Sequence, residues 1–324
     1  MGDCLDADVE DDVQLVREAL ARQRGGDRPN GLHTLVVFLI TLTLFVGGER
    51  LSTDATIGWI GALVLVLLVH EAGHYAAMRV FGYTDLKVFF IPLFGAGAKG
   101  VKSDATATQQ AMVSLMGPFP GLVFGLAAAA LLPLDRPFVN DFVVLSVVIN
   151  ALNLLPFYPL DGGRYLDVTV FARWPRARQV MTLLGGVGLV VMGWWLDAWV
   201  LMAFGGVVFV LAGPARMAAE GAADLKMFID PALPVPESIP DELVPRAMEV
   251  ANENLFHRVA NAKPKAYANV IRSYWRWVGF RPPSPGRTAL LLAAHGGTIL
   301  LAFAAFVMYV AAGDADLGSL VLSR

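Results

Sequence analysis

Stretches too apolar to stay in water recur along this chain, and a backbone in lipid must satisfy its own N–H and C=O groups, as a helix does. Residues 32–48, 57–81, 111–132, 139–157, 180–196, 198–212 and 289–312 are the candidate spans. Composition agrees: of 324 residues, 56% are hydrophobic and only 16% charged, whereas soluble domains carry about 25% charged residues. The expected fold is an all-α polytopic membrane protein with about seven transmembrane helices and a short re-entrant or β-hairpin element after the second. The fifth and sixth stretches are short and separated only by Asp197, so they also read as one bent span. Charge favours two. With a cytoplasmic N-terminus and seven crossings, the Lys and Arg of the tail and of residues 87–102, 164–178 and 216–287 fall inside. Only Arg50, Arg136 and Arg324 fall outside, whereas merging the two stretches exports the basic segment before the last span.

The N-terminal residues do not read as a signal peptide, because Asp3, Asp6, Asp8, Glu10, Asp11 and Asp12 crowd the region where a signal is positive. They read as a solvated cytoplasmic tail with a short helix near residues 13–22. Met1-Gly2 is no myristoylation site, since position 6 is Asp. The lone Cys4 excludes an intramolecular disulfide. A net charge of −3 says nothing about partners.

The uncharged run at residues 57–69 ends in His70-Glu71-Ala72-Gly73-His74. Two His at i and i+4 share a helix face and can bind one Zn²⁺, and the intervening Glu can reach a water beside it. A carboxylate in an apolar span costs about 2.5–3.5 kcal/mol on insertion scales, so Glu71 needs a reason to be there. The alternative is a hydrogen-bonded polar cluster that holds helices together.

A hydrolytic zinc site typically has three protein ligands. Residues 150–164 read Asn-Ala-Leu-Asn-Leu-Leu-Pro-Phe-Tyr-Pro-Leu-Asp-Gly-Gly-Arg directly after an apolar span. Pro156 and Pro159 end the helix, and Gly162-Gly163 permits sharp turns beside Asp161. Asp161 is thereby held at a broken helix end near the membrane, where its oxygen could coordinate zinc; by itself the segment reads better as a turn with an Asx hydrogen bond.

Together these two motifs resemble the site-2 protease family of intramembrane zinc metalloproteases, which pairs His-Glu-x-x-His with a later Asn-x-x-Pro-x-x-Pro-x-Asp-Gly. Residues 153–162 match the second motif without a gap. The resemblance implies His70, His74 and Asp161 as ligands of one Zn²⁺ per chain, Glu71 as catalytic acid and base, and Asn153 as a polar group near the substrate carbonyl. Gly95-Ala-Gly97 and Met116-Gly117-Pro118 also resemble the family. Residues 87–94 could form an edge strand, with Gly95 and Gly97 letting a substrate backbone approach; a tight turn explains the glycines equally well. Gly117-Pro118 needs no role beyond helix start and close packing. The resemblance covers residues 32–211, and the expected location is a bacterial inner (cytoplasmic) membrane, multi-pass, N-terminus cytoplasmic.

Other features compete. Glu220 and Asp224 have the Glu-x-x-x-Asp spacing of a different membrane metalloprotease class, but lie on what reads as an amphipathic surface helix. Asp85 and Asp167 read as loop residues, and His33 and His257 as surface residues. His295, inside the last apolar stretch, suits a hydrogen bond to a neighbouring helix better than a water path to zinc. Residues 241–260 form a plausible helix, and 264–280 mix Lys265, Arg272 and Arg276 with five aromatics, as suits an interfacial helix on an anionic cytoplasmic leaflet. That position makes lipid, and no nucleic acid, the expected surface partner. Relatives often carry an inserted PDZ domain or paired CBS domains, for which this chain is too short at the corresponding places.

The expected organisation is an acidic tail at 1–31, a transmembrane metalloprotease core at 32–213, a cytoplasmic helical segment at 214–287, and a last span with a short tail at 288–324. The resemblance implies a protease acting on membrane proteins through their transmembrane helices. The rival from another class is a zinc-binding transporter or a proteolytically inactive scaffold, neither of which needs both Glu71 and Asp161.

Overall fold

The computed structural model describes residues 11–21, 56–91, 95–102, 104–229, 238–254 and 264–312. The chain forms two compact units, one from Pro29–Val210 with Pro282–Arg324, the other from Met1–Arg28 with Leu211–Arg281. Helix α1 covers residues 11–21 and belongs to the second unit. The proposed first span, 32–48, lies outside the described residues.

In the first unit, α2 runs Ile57–Val80, begun by Thr56, whose hydroxyl accepts from Trp59 N at 3.2 Å. Its buried positions, among them Ile60, Leu63, Val66, Leu67, His70, His74 and Ala77, recur every three or four residues, so both histidines share the helix's protein-facing stripe. Gly82, at φ +75°, turns the chain into the antiparallel pair β1 (Thr84–Ile91) and β2 (Gly95–Val101). Val88 pairs with Ala98 and Phe89 with Gly97, and the register shifts between Thr84 and Lys87. This sheet is the hairpin expected after the second span.

Helix α3 (Ala107–Leu115) opens with a reciprocal Thr106–Gln109 capping box, and α4 (Pro118–Leu131) starts afresh after Met116-Gly117. The single span expected over 111–132 is therefore interrupted: Pro118 has no N–H to continue the α3 ladder but suits a first helical position. Helix α5 (Pro137–Asn153) ends before Pro156, and α6 (Asp161–Leu166) passes through a wide turn at Asp167–Phe171 into α7 (Pro175–Trp195). Helix α8 spans Trp199–Lys226.

The expected fifth and sixth stretches are separate helices. Asp197, at φ +52°, makes the turn between them. A Cβ on Gly186 would touch Phe209, one on Gly205 would touch Val190, and one on Gly193 would touch Met202, the descending pairing of an antiparallel hairpin. Trp174 and Trp195, both exposed, stand at the two ends of α7, 21 positions apart. At 1.5 Å per residue that is about 31 Å, the thickness of the hydrocarbon core, with aromatic residues at both edges.

Among the described residues four helical stretches are long and apolar enough to cross a bilayer: Ile57–Val80, Ala107–Leu131, Arg176–Trp195 and Pro285–Ala311. Pro137–Asn153 and Leu201–Val210 are shorter apolar helices.

The second unit adds α9 (Val244–Asn254) and α10 (Pro264–Val278); α11 (Pro285–Ala312) returns to the first. The core of the second unit joins Val13, Val16 and Leu20 of α1 to Ala218, Ala222 and Leu225 of α8, Val250 of α9, and Ile271, Tyr274 and Trp275 of α10. Arg17 donates to the Asp241 carbonyl at 2.9 Å.

Two expectations are corrected here. The N-terminal segment is not merely a solvated tail, because its helix buries Val13, Val16 and Leu20 in a protein core. Nor do the α10 aromatics lie open for lipid, since Tyr267, Tyr274 and Trp275 are buried in that core while Lys265, Arg272 and Arg276 face outward. A helix on a bilayer and one on protein share the same pattern, an apolar stripe with a charged back, and the pattern does not say what covers the stripe.

Candidate metal centre

Three distant pieces of chain deliver donor atoms to one buried point. Helix α2 supplies His70 and His74 from adjacent turns, with ring centroids 4.8 Å apart and planes at 79°. Asp161 is the first residue of α6, facing them across the loop after α5. Its Oδ2 lies 3.0 Å from His70 Nε2 and 3.0 Å from His74 Nε2, and the two Nε2 atoms are 3.2 Å apart. All three residues are buried. Gly162 and Gly163 bring α6 this close. A Cβ on either would run into the backbone of Leu154, Leu155 or Phe157. Among the described glycines only Gly82 has a positive φ, so this pair serves close approach rather than the sharp turn expected.

The hydrogen-bond partners on the far side of each ring fix what the near side presents. His74 Nδ1 lies 2.7 Å from the Val113 carbonyl, which can only accept, so that nitrogen carries the hydrogen. His70 Nδ1 lies 2.8 Å from Asn150 Oδ1, whose amide nitrogen donates to the Ser146 carbonyl. In the neutral form of each ring, Nε2 is therefore the lone pair. Two lone pairs and a carboxylate oxygen converging at 3.0–3.2 Å repel one another unless a cation or shared protons lie between them.

The donor chemistry fits zinc: two imidazole nitrogens and one carboxylate oxygen are the three-ligand set of a catalytic site. Ligand atoms about 2.1 Å from a shared centre at tetrahedral angles lie about 3.4 Å from each other, close to the separations here. Among the described residues no other group of His, Cys, Asp and Glu is arranged to hold a metal. Glu220 and Asp224 take no part in this cluster.

Glu71 is the buried acid beside this point, and its Oε2 has no hydrogen-bond partner among the described residues. An unsatisfied carboxylate oxygen is costly in an apolar interior, so it calls for a partner such as a water, an ion or a substrate group. Arg164 Nη1 stands 3.7 Å from Asp161 Oδ1 on the opposite side of that carboxylate.

Asn153 is half-buried at the end of α5, one amide hydrogen donated to the Ile149 carbonyl at 3.0 Å. Gly95 and Gly97 lie on β2 opposite Ile91 and Phe89. A Cβ on Gly97 would come within 3.1 Å of the Phe89 ring, so this glycine also accommodates its own cross-strand neighbour. His295, on α11, stacks on Tyr165 at 5.0 Å and belongs to a different cluster. Two residues escaped the sequence. Asn150 holds His70, and Gly117 leaves the space the two rings occupy, since a Cβ there would lie 2.9 Å from His70 Nε2 and closer still to His74. Asn150 stands three residues before the Asn153–Gly162 motif and Gly117 within Met116-Gly117-Pro118, and those places were their only sequence signal.

No family model matches the chain. Sequence relatives do. The chain is 28% identical over 155 residues to stage IV sporulation protein FB of Bacillus subtilis, covering 44% of this chain and 54% of that protein. It is 21% identical over 147 residues to zinc metalloprotease MJ0392 of Methanocaldococcus jannaschii, covering 43% of this chain and 41% of the other. The match thus spans about half the length, or less, of these curated relatives. A solved site-2 protease from Methanocaldococcus jannaschii aligns at a TM-score of 0.40 and 17% identity, over 53% of this chain and 86% of that one. The gapless pair of motifs, the donor cluster they form and these sequence relatives make the chain similar to the zinc metalloproteases of the site-2 protease family.

Proposed function

We propose that this protein is an intramembrane zinc metalloprotease that hydrolyses peptide bonds in or near the transmembrane segments of other membrane proteins, as in regulated intramembrane proteolysis. The observation that carries the proposal is the convergence of His70 Nε2, His74 Nε2 and Asp161 Oδ2 beside the unpartnered Glu71 carboxylate. One Zn²⁺ per chain is held by those three atoms. When bound, zinc supplies Lewis acidity, polarising the scissile carbonyl and making water a nucleophile near neutral pH.

The rest falls to the chain's own residues. Glu71 takes the proton of the attacking water on its free oxygen and returns it to the leaving amine. Asn153 has a second amide hydrogen to offer the substrate carbonyl. The β1–β2 edge near Gly95 and Gly97 holds the substrate extended, because a helical substrate keeps its carbonyls in its own hydrogen bonds. Burial of the cluster excludes bulk water, which strengthens each of these interactions.

The proposed topology has seven crossings, with the N-terminus in the cytoplasm of a bacterial cell and the protein in the inner membrane. His70 lies thirteen residues after Ile57, so the centre is about 20 Å along α2 and nearer its cytoplasmic end. The proposed organisation is a cytoplasmic part from residues 1–31 and 214–287, a metalloprotease core at 32–213 and a last span with a short tail at 288–324. The substrate is a membrane protein presenting a transmembrane helix.

The test compares detergent-purified wild type with Glu71→Gln, scoring cleavage of candidate single-span substrates alongside zinc content. Loss of cleavage with zinc retained is expected. Equal cleavage by both proteins would sink the mechanism, and zinc bound without cleavage across a broad substrate panel would favour a transporter or scaffold.

A further inference from the structure

We propose that Asn150 is a positioning residue of the metal centre, fixing the His70 ring in the tautomer and orientation that turn Nε2 toward Asp161 and His74. The inference rests on the zinc reading of the site and adds to it a residue outside the Asn153–Gly162 motif. Asn150 is 0% exposed on α5, eighty residues from the ring it serves. Its Oδ1 lies 2.8 Å from His70 Nδ1, and its Nδ2 donates to the Ser146 carbonyl at 2.6 Å.

The polarity of this chain of bonds is determined at its far end. A backbone carbonyl can only accept, so the Asn150 amine must face Ser146 and the amide oxygen must face His70. His70 Nδ1 therefore carries the hydrogen and Nε2 the lone pair. Val113 does the same for His74 through its main-chain oxygen, at 2.7 Å. Of the two histidines, only His70 owes its setting to a side chain. Outer partners of this kind raise the basicity of the ligand and lock its ring, and their loss typically costs about 10- to 100-fold in metal affinity.

The packing confirms that Asn150 has a prepared seat. Gly121 on α4 lies directly against it, where a Cβ would come within 2.6 Å of Asn150 Cγ and 2.7 Å of Oδ1. The amide is therefore held in place in a slot cut by a missing side chain, and its bond to the Ser146 carbonyl sets which end faces His70.

The experiment uses the full-length protein in detergent as wild type, Asn150→Leu and Asn150→Asp. Zinc affinity is measured by competition with a chromophoric chelator, and the zinc-free forms are compared by thermal unfolding. Leu keeps the branched heavy-atom pattern and removes the acceptor, so affinity falls about 10- to 100-fold. Asp keeps the acceptor but loses the bond to Ser146, so its affinity stays within about threefold of wild type or exceeds it. Rescue by Asp isolates the bond to His70, because both variants lose the Ser146 contact; Asn150→Ala replaces the Leu variant where that side chain fails to pack. Wild-type affinity in the Leu or Ala variant would overturn the proposal, as would an Asp variant that falls as far as Leu, which assigns Asn150 to packing. Failure of the unmutated protein to bind zinc would bring down the reading of the site as well, and it is recognisable because it needs no variant.

Discussion

Gly117→Ala tests whether the space around the histidines is set by packing rather than by the histidines themselves. The backbone at Gly117 has φ −74° and ψ −66°, which alanine adopts without strain, so any effect comes from the added methyl. That methyl would lie 2.9 Å from His70 Nε2 and within overlap of His74 Nε2 and Cε1, where about 3.5 Å is needed. Relief takes a shift of about 1 Å by α4 or the rings, and overpacking of this size costs about 1–3 kcal/mol. The larger effect is on chemistry, because the methyl occupies the side of the Nε2 atoms on which a cation must sit, and a 1 Å misplacement alone lowers rates about 100-fold. Zinc content after dialysis, helical circular dichroism and cleavage are measured on the same preparation. The expected result is a folded protein with zinc content well below one per chain and cleavage reduced at least about 100-fold. Wild-type zinc affinity together with wild-type cleavage would refute the argument, since the rings would then have room the structure denies them.

Asp161→Asn keeps the shape of α6 but replaces an anionic ligand with a neutral amide, and zinc affinity should fall by more than the roughly 10- to 100-fold of an outer partner; an unchanged chelator titration would remove Asp161 from the ligand set. Val16→Asp places an unpaired carboxylate at a position 1% exposed in the core of the second unit, costing about 3–5 kcal/mol. Limited proteolysis should then cut residues 11–21 and 238–281 faster, and an unchanged digestion pattern would mean that α1 does not dock. Tyr274→Phe removes a buried hydroxyl with no hydrogen-bond partner among the described residues and should stabilise the second unit by up to about 1 kcal/mol. Burial pushes that hydroxyl up to about 12, above the unfolded value of about 10. The folded state therefore holds the proton longer, and its stability declines as pH rises from 10 toward 12. The Phe variant should lose less stability than wild type across that interval, and parallel pH curves would contradict the assignment.

How much the sequence disclosed depended on how local each cause was. The i, i+4 spacing of His70 and His74 is a property of one helix, so their shared face was legible before any fold was known. Pro156, Pro159 and the two glycines marked a helix end at Asp161, but only the resemblance lifted it above an Asx turn, and the glycines turned out to permit close approach to residues 154–157. Asn150 and Gly117 were not legible in this sense, because the contacts that define them are made across α4 and α5 and cannot be read from neighbours in sequence. The N-terminal helix shows the opposite failure. Val13, Val16 and Leu20 have the right spacing for one buried stripe, but the surrounding acids outweighed them in a reading by composition. Seven crossings were expected, and the break at Met116-Gly117 shows why counting apolar runs does not give helices one for one.

The same glycines that let α4 pack against α5 also position the chemistry. Gly117, Gly121 and Gly125 recur every fourth residue and so line one face of the chain entering and forming α4. A Cβ on each would meet, in order, the His70 and His74 rings, the Asn150 amide and Ser146 Cβ, the last at 2.8 Å. In lipid, helices gain little from burying apolar surface against one another, so close approach through small residues and interhelical hydrogen bonds must hold them. Here the polar groups opposite that seam are themselves connected: Ser146 O accepts from Asn150, and Asn150 accepts from His70. Packing and ligand orientation are therefore one structural event, and their failures should be graded by depth along the seam. Alanine at 117 strikes the ring nitrogens directly, alanine at 121 displaces the amide that orients one ring, and alanine at 125 meets only the serine that begins the chain of bonds. Zinc affinity should recover in that order from Gly117→Ala to Gly121→Ala to Gly125→Ala. Three equal losses would point instead to general loosening of α4 against α5, with no directional link to the metal centre.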